Sequence, residues 1–204
     1  CGLINRGQGG TLWANQSGFI TATNINTGAL TTSGYDLLAS YTREVGPGDL
    51  SFDYVGTYLA ELEVKPLPTS TGDEIFDCAG VYGGRCKSNL DTGSNPEYRH
   101  RLSTTWTADK YSLTGTWRHL GSVEKDGGDD GGADGTFDAI DYFDLSGSYQ
   151  ARENLTLRLG VNNLFDQDPP LSASVGTGVG NGNTFPTVYD AMGRYVFLGF
   201  TADF

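Results

Sequence analysis

Length, composition and charge restrict the protein to a few classes. The chain has 204 residues, 30 of them glycine, with 37% hydrophobic residues and a formal net charge of −12 at pH 7. Long helices are disfavoured because each interior glycine costs about 1 kcal/mol relative to alanine. Glycine in turns and aromatic residues in strands are instead typical of all-β proteins. The acidic balance excludes nucleic acid as a partner, because binding it needs clustered lysine and arginine. No apolar run approaches the roughly 18 residues of a membrane-spanning helix.

Seven segments are predicted to be β-strands, because apolar and polar side chains alternate along each of them. Between Leu50 and Tyr54, for example, every second side chain is apolar and the residues between are Ser51 and Asp53. The predicted strands are Ala29–Val45, Leu50–Leu62, Glu97–Thr107, Tyr111–Val123, Tyr142–Gln150, Leu155–Val161 and Val196–Phe204.

Short and long connections alternate between these strands. The tight turns are Gly46–Asp49, Ala108–Lys110 and Ala151–Asn154. The long links are Glu63–Pro96, Glu124–Asp138 and Asp166–Asp190. An outer-membrane barrel has short periplasmic turns and long extracellular loops, whereas a soluble sandwich has no physical reason to sort its loops onto two ends. The pattern predicts a transmembrane barrel with an apolar face towards lipid and a polar face towards the lumen.

The strand count predicts that the chain is part of a larger barrel. Closed bacterial barrels made from one chain have an even number of strands, and seven strands leave two unpaired edges in hydrocarbon. The chain also opens without the basic start and apolar run of a signal peptide. The protein is therefore either cytosolic or continues upstream, and the odd strand count favours further strands N-terminal to residue 1.

Three cysteines carry information about the compartment. Cys78 and Cys86 lie eight residues apart in a glycine-rich segment, which favours a small disulfide loop. Metal binding is the alternative, but no histidine or further cysteine lies nearby in the sequence to complete a tetrahedral site. A disulfide indicates an oxidising compartment. Cys1 is left over, and its simplest partner lies upstream of the first residue.

Several stretches resemble the C-terminal region of the TonB-dependent outer-membrane receptors, and together they cover essentially the whole chain. The most specific match is the pair formed by Val161–Asp166 (VNNLFD) and the ending Gly193–Phe204. The other similar stretches are Asn26–Leu37, Phe76–Cys86 with the following Asn95–Leu102, and the longer ending from Val188.

The resemblance implies an all-β fold made of about seven C-terminal strands of an antiparallel barrel of about 22 strands with a plugged lumen. Residues 1–204 would be the C-terminal part of the receptor's barrel domain, with the plug domain and the TonB box absent. Such receptors lie in the Gram-negative outer membrane and import a scarce nutrient, such as a ferric siderophore, haem, cobalamin or an oligosaccharide. The implied partners are outer-membrane lipid, the barrel-assembly machinery, TonB through the missing N-terminal region, and a small nutrient ligand. The complete receptor is expected to be a monomer.

The resemblance and the strand pattern together suggest roles for individual residues. Phe204 matches the terminal aromatic that the barrel-assembly machinery recognises, and we group Phe200 and Tyr195 with it; a lipid-facing aromatic is the alternative role. Asn162 and Asn163 are expected to hydrogen bond the backbone of the following loop. His100 falls on the apolar face and is interpreted as structural. Four arginines are predicted to face the lumen, where they would either attract anionic ligands or line a hydrated pore: Arg99, Arg101, Arg118 and Arg158.

The acidic, glycine-rich link suggests calcium, but only weakly. Its possible oxygen ligands are Asp129, Asp130, Asp134 and Asp138. The spacing fits neither an EF-hand loop nor the glycine-aspartate nonapeptide repeat, so a flexible, solvated loop is the favoured interpretation.

Neither an enzymatic activity nor a cofactor is expected. His100 and His119 have no nucleophile or metal ligand at a useful spacing, and the glycine-rich Gly176–Gly182 lacks the lysine and helix of a phosphate-binding loop. Two other functions stay open beside the receptor. One is a complete small structural barrel, and the other is a secreted β-sandwich adhesion module that would be soluble without detergent.

Overall fold

The protein is built almost entirely of β-strands. The structure, a computed structural model, describes residues 3–7, 9–12, 18–21, 28–65, 75–89, 93–128, 135–172 and 182–202. The long strands are β3 (Ala29–Val45), β4 (Gly48–Lys65), β8 (Tyr98–Ala108), β9 (Tyr111–Leu120), β12 (Ile140–Arg152), β13 (Leu155–Asn162) and β14 (Tyr195–Ala202). The short elements are β1 (Ile4–Asn5), β2 (Phe19–Ile20), β5 (Phe76–Asp77), β6 (Val81–Tyr82), α1 (Gly84–Asn89), β7 (Ser94–Asn95), β10 (Val123–Lys125) and β11 (Thr136–Phe137). No helix in these described ranges is both long and apolar enough to cross a membrane.

The seven long strands form one antiparallel sheet in the order β14-β13-β12-β9-β8-β4-β3, and β5 adds to the end of β4. Every neighbouring pair is antiparallel. The all-β, antiparallel fold predicted from the sequence is confirmed, and each predicted strand has its counterpart. The sheet does not close on itself, since β3 and β14 each have one side without a partner strand among the described residues.

The register gives the sheet two chemically different faces. One row of directly paired residues runs Leu50, Trp106, Leu113, Gly147, Leu159 and Leu198 across six strands. The neighbouring row on the other side holds Ser51, Thr105, Thr114, Ser146, Gly160 and Phe197. Because side chains alternate along every strand, these rows define a polar face and an apolar face, and we name the apolar one the membrane face because the sequence predicts that it meets lipid.

Apolar side chains on the membrane face are exposed, as lipid contact requires. Leu159 is 57% and Leu198 79% exposed. An outward apolar band is what a barrel in hydrocarbon needs, because lipid there covers the side chains that a soluble protein would bury.

The long links hold more structure than the sequence predicted. We name them outer connection 1 (residues 66–97), outer connection 2 (residues 121–139) and outer connection 3 (residues 163–194). Strands from connections 1 and 2 form a separate four-stranded sheet in the order β11-β10-β6-β7. In it, β10 and β6 pair in parallel although they are more than 40 residues apart in sequence. Pairing at this distance leaves no local periodicity in the sequence, which is why these strands were missed.

Candidate functional site

The polar face carries ladders of hydroxyl groups across neighbouring strands. Thr105 and Thr114 hydrogen bond side chain to side chain at 2.9 Å, and Ser112 and Ser148 do so at 2.8 Å. Such cross-strand pairs stabilise a sheet, and here they also satisfy polar groups without filling the space above the wall. The face can therefore line a hydrated lumen.

Arg118 joins this wall to outer connection 3. Its Nε donates to Asp144 Oδ2 at 2.8 Å on β12, and its Nη2 donates to Asp190 Oδ2 at 2.6 Å. The guanidinium carbon also lies 5.0 Å from the centre of the Tyr142 ring. Both carboxylates are engaged by the planar fork, the geometry in which arginine binds carboxylates best. Arg118 was predicted as a possible ligand contact, but the structure pairs it with two protein carboxylates.

Asn163 shapes the start of connection 3. It is completely buried and adopts a left-handed backbone with φ 51°, a conformation that asparagine tolerates better than most residues. Its Nδ2 donates to the Gln167 carbonyl at 2.8 Å and its Oδ1 accepts the Gln167 amide at 2.8 Å. Its own amide donates to Asp144 Oδ1 at 2.9 Å. The expected role of Asn163 in bonding the loop backbone is confirmed.

The three outer connections share one apolar core. Phe137 of connection 2 stacks on Tyr82 of connection 1 with ring centroids 4.0 Å apart, and it also contacts Phe185 and Tyr189 of connection 3 at 6.3 Å. Burial raises the pKa of the Tyr189 hydroxyl. The buried members of the core are Tyr82, Val123, Phe137, Ile140, Tyr142, Phe185 and Tyr189. Phe137 is only 5% exposed, so the expectation of a solvated loop fails at this position of connection 2.

A disulfide and an ion pair brace connection 1. Cys78 and Cys86 are bonded, with their Cα atoms 5.6 Å apart, and both are buried beside Val64. The Asp126 carboxylate of connection 2 accepts hydrogen bonds from the Arg85 backbone amide at 2.7 Å and from the Arg85 Nη2 at 2.8 Å. These Arg85 hydrogen bonds hold the pKa of the Asp126 carboxyl below its usual range. Gly84 makes the approach possible, because a Cβ there would collide with the Asp126 carboxylate.

Arg99 and Arg101 line a cavity of about 370 Å³ on the polar face. The cavity also touches Val55 and Thr57 of β4 and Val188 of connection 3. Neither Arg99 nor Arg101 has a hydrogen-bond or ion-pair partner in the described part of the chain. Among the described residues, Arg99 and Arg101 therefore differ from Arg118, whose charge is paired with two carboxylates.

Arg158 lies apart from the other three predicted arginines. It lines a second hollow of about 360 Å³ with Ser112, Ser148 and Phe197. The Phe197 ring lies across Gly160, where any Cβ would collide with it. The structure therefore brings Arg99, Arg101 and Arg118 together and leaves Arg158 nearer the β14 edge.

An aromatic cluster marks the extracellular end of the membrane face. His100 lies among Tyr54, Trp117 and His119, with ring centroids at 5.6, 4.4 and 5.1 Å. Trp117 Nε1 donates to Asp141 at 2.6 Å, and His119 Nδ1 lies 2.8 Å from the same carboxylate oxygen. These ring contacts agree with the structural role expected for His100, and the position matches an interfacial aromatic girdle.

The remaining predicted residues are only partly covered by the structure. Phe200 is 76% exposed on the membrane face, and Tyr195 lies on the polar face of the same strand. Phe204, Cys1, Asp129, Asp130 and Asp134 lie outside the described residues. Within the described ranges, which include Asp138, no three histidine, cysteine, aspartate or glutamate side chains are grouped to hold a metal.

Comparison with known proteins decides the family. The family model described as TonB dependent receptor-like, beta-barrel matches residues 3–164. The chain belongs to this family. TonB-dependent receptors are outer-membrane transport proteins rather than enzymes, and they bind a small ligand and interact with TonB. The open sheet is therefore a portion of a receptor barrel, with its tight turns on the periplasmic side.

Solved structures show the same fold. The ferric enterobactin receptor from Pseudomonas aeruginosa aligns in its complexes with enterobactin and with BCV-L6 at a TM-score of 0.51 and 22% identity. Each alignment covers 85% of this chain and 23% of that receptor, so the chain spans about a quarter of the length of these structures. No curated protein matches the sequence.

Removing the Arg118 fork from the receptor barrel should loosen connection 3. We expect Arg118→Ala to destabilise the docking of this connection by about 2 kcal/mol, because charge-assisted hydrogen bonds contribute roughly 1.5–3 kcal/mol and Arg118 is 30% exposed. Hydrogen exchange of the amides of residues 187–190 in the intact receptor measures the change. Arg118→Lys keeps the charge without the planar guanidinium, so its exchange rates should lie between those of the wild type and of Arg118→Ala. Unchanged exchange in both variants would contradict a role of Arg118 in holding connection 3.

The Arg85–Asp126 pair should make the loop contact acid-sensitive. The pKa of Asp126 is lowered in the folded receptor, so the pair stabilises above the unfolded carboxyl pKa of about 3.9. That contribution is lost as pH falls through the lowered folded pKa. Below a pH of about 4, we expect amides 84–86 to exchange faster than the pH dependence of intrinsic amide exchange alone predicts. Asp126→Asn should remove this extra acid step while leaving exchange in β12 and β13 unchanged.

Proposed function

We propose that the chain is the C-terminal barrel segment of a TonB-dependent receptor that takes up a scarce nutrient across the outer membrane. The observation that carries the proposal is the two-faced sheet, with lipid-exposed leucines outside and hydroxyl ladders inside. The edges at β3 and β14, which have no partner strand among the described residues, would be completed by the other strands of a barrel of about 22. The plug domain and the TonB box would belong to the rest of that receptor.

Arg99 and Arg101 favour an anionic nutrient. Arg99 and Arg101 lie beneath the outer connections, face the polar side and have no partner among the described residues. Arginine binds carboxylate and other oxyanions strongly through paired hydrogen bonds. Ferric siderophores and haem present such anionic oxygens, whereas neutral oligosaccharides do not. The structures with the same fold belong to a ferric enterobactin receptor, which makes ferric siderophores the first ligands to test.

Uptake by cells expressing the intact receptor tests the proposal. Iron-starved cells should accumulate a radiolabelled ferric siderophore only when both the receptor and TonB are present. Equal uptake without TonB would contradict energised transport. A protein that is monodisperse without detergent would point instead to a secreted adhesion module.

Ligand affinity separates the arginines. In the intact receptor, Arg99→Gln and Arg101→Gln should each weaken binding of an anionic ligand about tenfold or more, the equivalent of losing a charge-assisted hydrogen bond of roughly 1.5–3 kcal/mol. Arg43→Gln is the matched control, because Arg43 pairs with Leu50 on the membrane face. Titration of the receptor with the ligand, followed by fluorescence quenching, gives the dissociation constants. A loss no larger than that of the control would assign Arg99 and Arg101 to lining the pore.

The terminal aromatics carry a second part of the proposal. Phe204, with Phe200 and Tyr195, would form the signal through which the barrel-assembly machinery recognises the chain. The exposed, membrane-facing Phe200 supports this role.

A further inference from the structure

A groove opens in the membrane face where Gly147 replaces a larger side chain. In the paired row across the sheet, Gly147 lies directly between Leu113 of β9 and Leu159 of β13. The hollow has a volume of about 590 Å³ and is walled by Leu113, Leu145, Leu157 and Leu159. All of its strands belong to the transmembrane sheet, so the surroundings at this depth are acyl chains.

The periplasmic end of the groove is marked by aromatic rings. Tyr111 and Tyr149 line it and stack with their ring centroids 4.9 Å apart, and Trp106 completes the rim. Tyr111 directly follows the tight turn at residues 109–110. Tyrosine and tryptophan prefer the membrane–water interface, where the ring is apolar and the polar tip reaches water or headgroups.

A β-bulge puts a cation on the same face of the sheet, at the same end of β12. The register of β12 against β13 shifts between Gln150 and Arg152, so that Arg152 pairs with Leu155 while Tyr149 pairs with Leu157. Leu155 and Leu157 are two residues apart and share the membrane face. Without the bulge, Ala151 would stand opposite Leu155 and Arg152 would point to the other face. The exposed Arg152 has no partner in the described ranges.

We propose that this surface is a binding site for one phospholipid of the periplasmic leaflet. The acyl chain would fill the groove over Gly147, and the Arg152 guanidinium would bind the phosphate next to the hydroxyls of Tyr111 and Tyr149. The groove matches the apolar chain, and the unpaired cation matches the anionic phosphate at the depth where headgroups lie. The inference rests on the membrane placement of the sheet and is independent of which nutrient is transported.

Native mass spectrometry of the intact, delipidated receptor titrated with phosphatidylglycerol tests the site. We expect one lipid to bind more tightly than the rest, and Arg152→Gln to weaken that event about fivefold, the loss of roughly one arginine's attraction to an anionic leaflet. Arg43→Gln is the control, because it removes a cation from the membrane face on β3, four strands away from β12. It should change the lipid affinity by less than about twofold, well short of the loss of one arginine's attraction.

Filling the groove gives the second arm. Gly147→Leu should also weaken binding of the tightly bound lipid at least fivefold. A Cβ at Gly147 would lie 3.3 Å from the Ser112 carbonyl oxygen, so the neighbouring backbone has to shift only slightly to accommodate it. Three outcomes overturn the proposal: no tight lipid, an equal loss in the Arg43 and Arg152 variants, or a receptor dimer whose groove is closed by a second copy. The Arg152 variant decides the question if Gly147→Leu does not fold. Failed nutrient uptake with lipid binding intact would count against the transported ligand alone.

Discussion

Replacing Phe137 by alanine should loosen all three outer connections at once. Phe137 touches Tyr82 of connection 1 and both Phe185 and Tyr189 of connection 3. Removing a buried phenylalanine side chain costs about 3–5 kcal/mol, because transfer energy is lost and a cavity remains. We therefore expect the amides of β6, of β10 and of residues 187–189 to exchange faster together.

The comparison with a smaller change isolates the shared core. Phe137→Leu keeps most of the buried volume, so its cost should be well below that of alanine. Hydrogen exchange followed peptide by peptide in the intact receptor distinguishes the two variants, with β12 and β13 as the internal reference. Faster exchange in connection 2 alone would show that the connections move separately. The shared core would then not couple the opening of one connection to that of the others.

If the connections do move together, they form one rigid unit above the sheet rather than three separate loops. The Cys78–Cys86 disulfide, the Arg85–Asp126 pair and the Arg118 fork each join or brace a different part of this unit. Val188 of connection 3 reaches the cavity that holds Arg99 and Arg101. The contacts that hold connection 3 in place therefore also hold Val188 against this cavity.

The sheet could be predicted from the sequence because its pattern is local. Alternation along Leu50–Leu62, for example, is a direct result of one face meeting lipid and the other water, and the structure has β4 over Gly48–Lys65. The role of Asn163 could likewise be predicted, since its partner Gln167 is four residues away. In both cases, the interacting residues lie close enough in sequence to leave a pattern.

The outer core could not be predicted, because its contacts join distant parts of the chain. Phe137 lies far from Tyr82 and Phe185 in sequence, and glycine-rich acidic residues surround it, so the segment looks solvated. The same holds for Arg118, whose partners Asp144 and Asp190 are 26 and 72 residues away. A lumen-facing arginine looks like a ligand contact until the carboxylates opposite it are known.

Leu145 and Ser146 offer a direct test of which face meets lipid. They are neighbours near the middle of β12; Leu145 pairs with Gly115 and Val161 on the membrane face, and Ser146 pairs with Thr114 and Gly160 on the polar face. An arginine at the lipid-facing midplane of a barrel costs about 2–4 kcal/mol, whereas an arginine towards a hydrated lumen is tolerated. Leu145→Arg should therefore destabilise the receptor by about that amount, and Ser146→Arg by far less.

Guanidinium titration of the intact receptor folded into phospholipid vesicles measures both free energies of unfolding. The same residue type is introduced one position apart, so the change in net charge is the same in both variants. Equal costs would mean that both faces meet the same environment, which would contradict the assignment of one face to lipid and the other to a hydrated lumen. That result would remove the physical basis for a lumen, because a lumen requires the face that carries the hydroxyl ladders to be hydrated while the opposite face excludes charge.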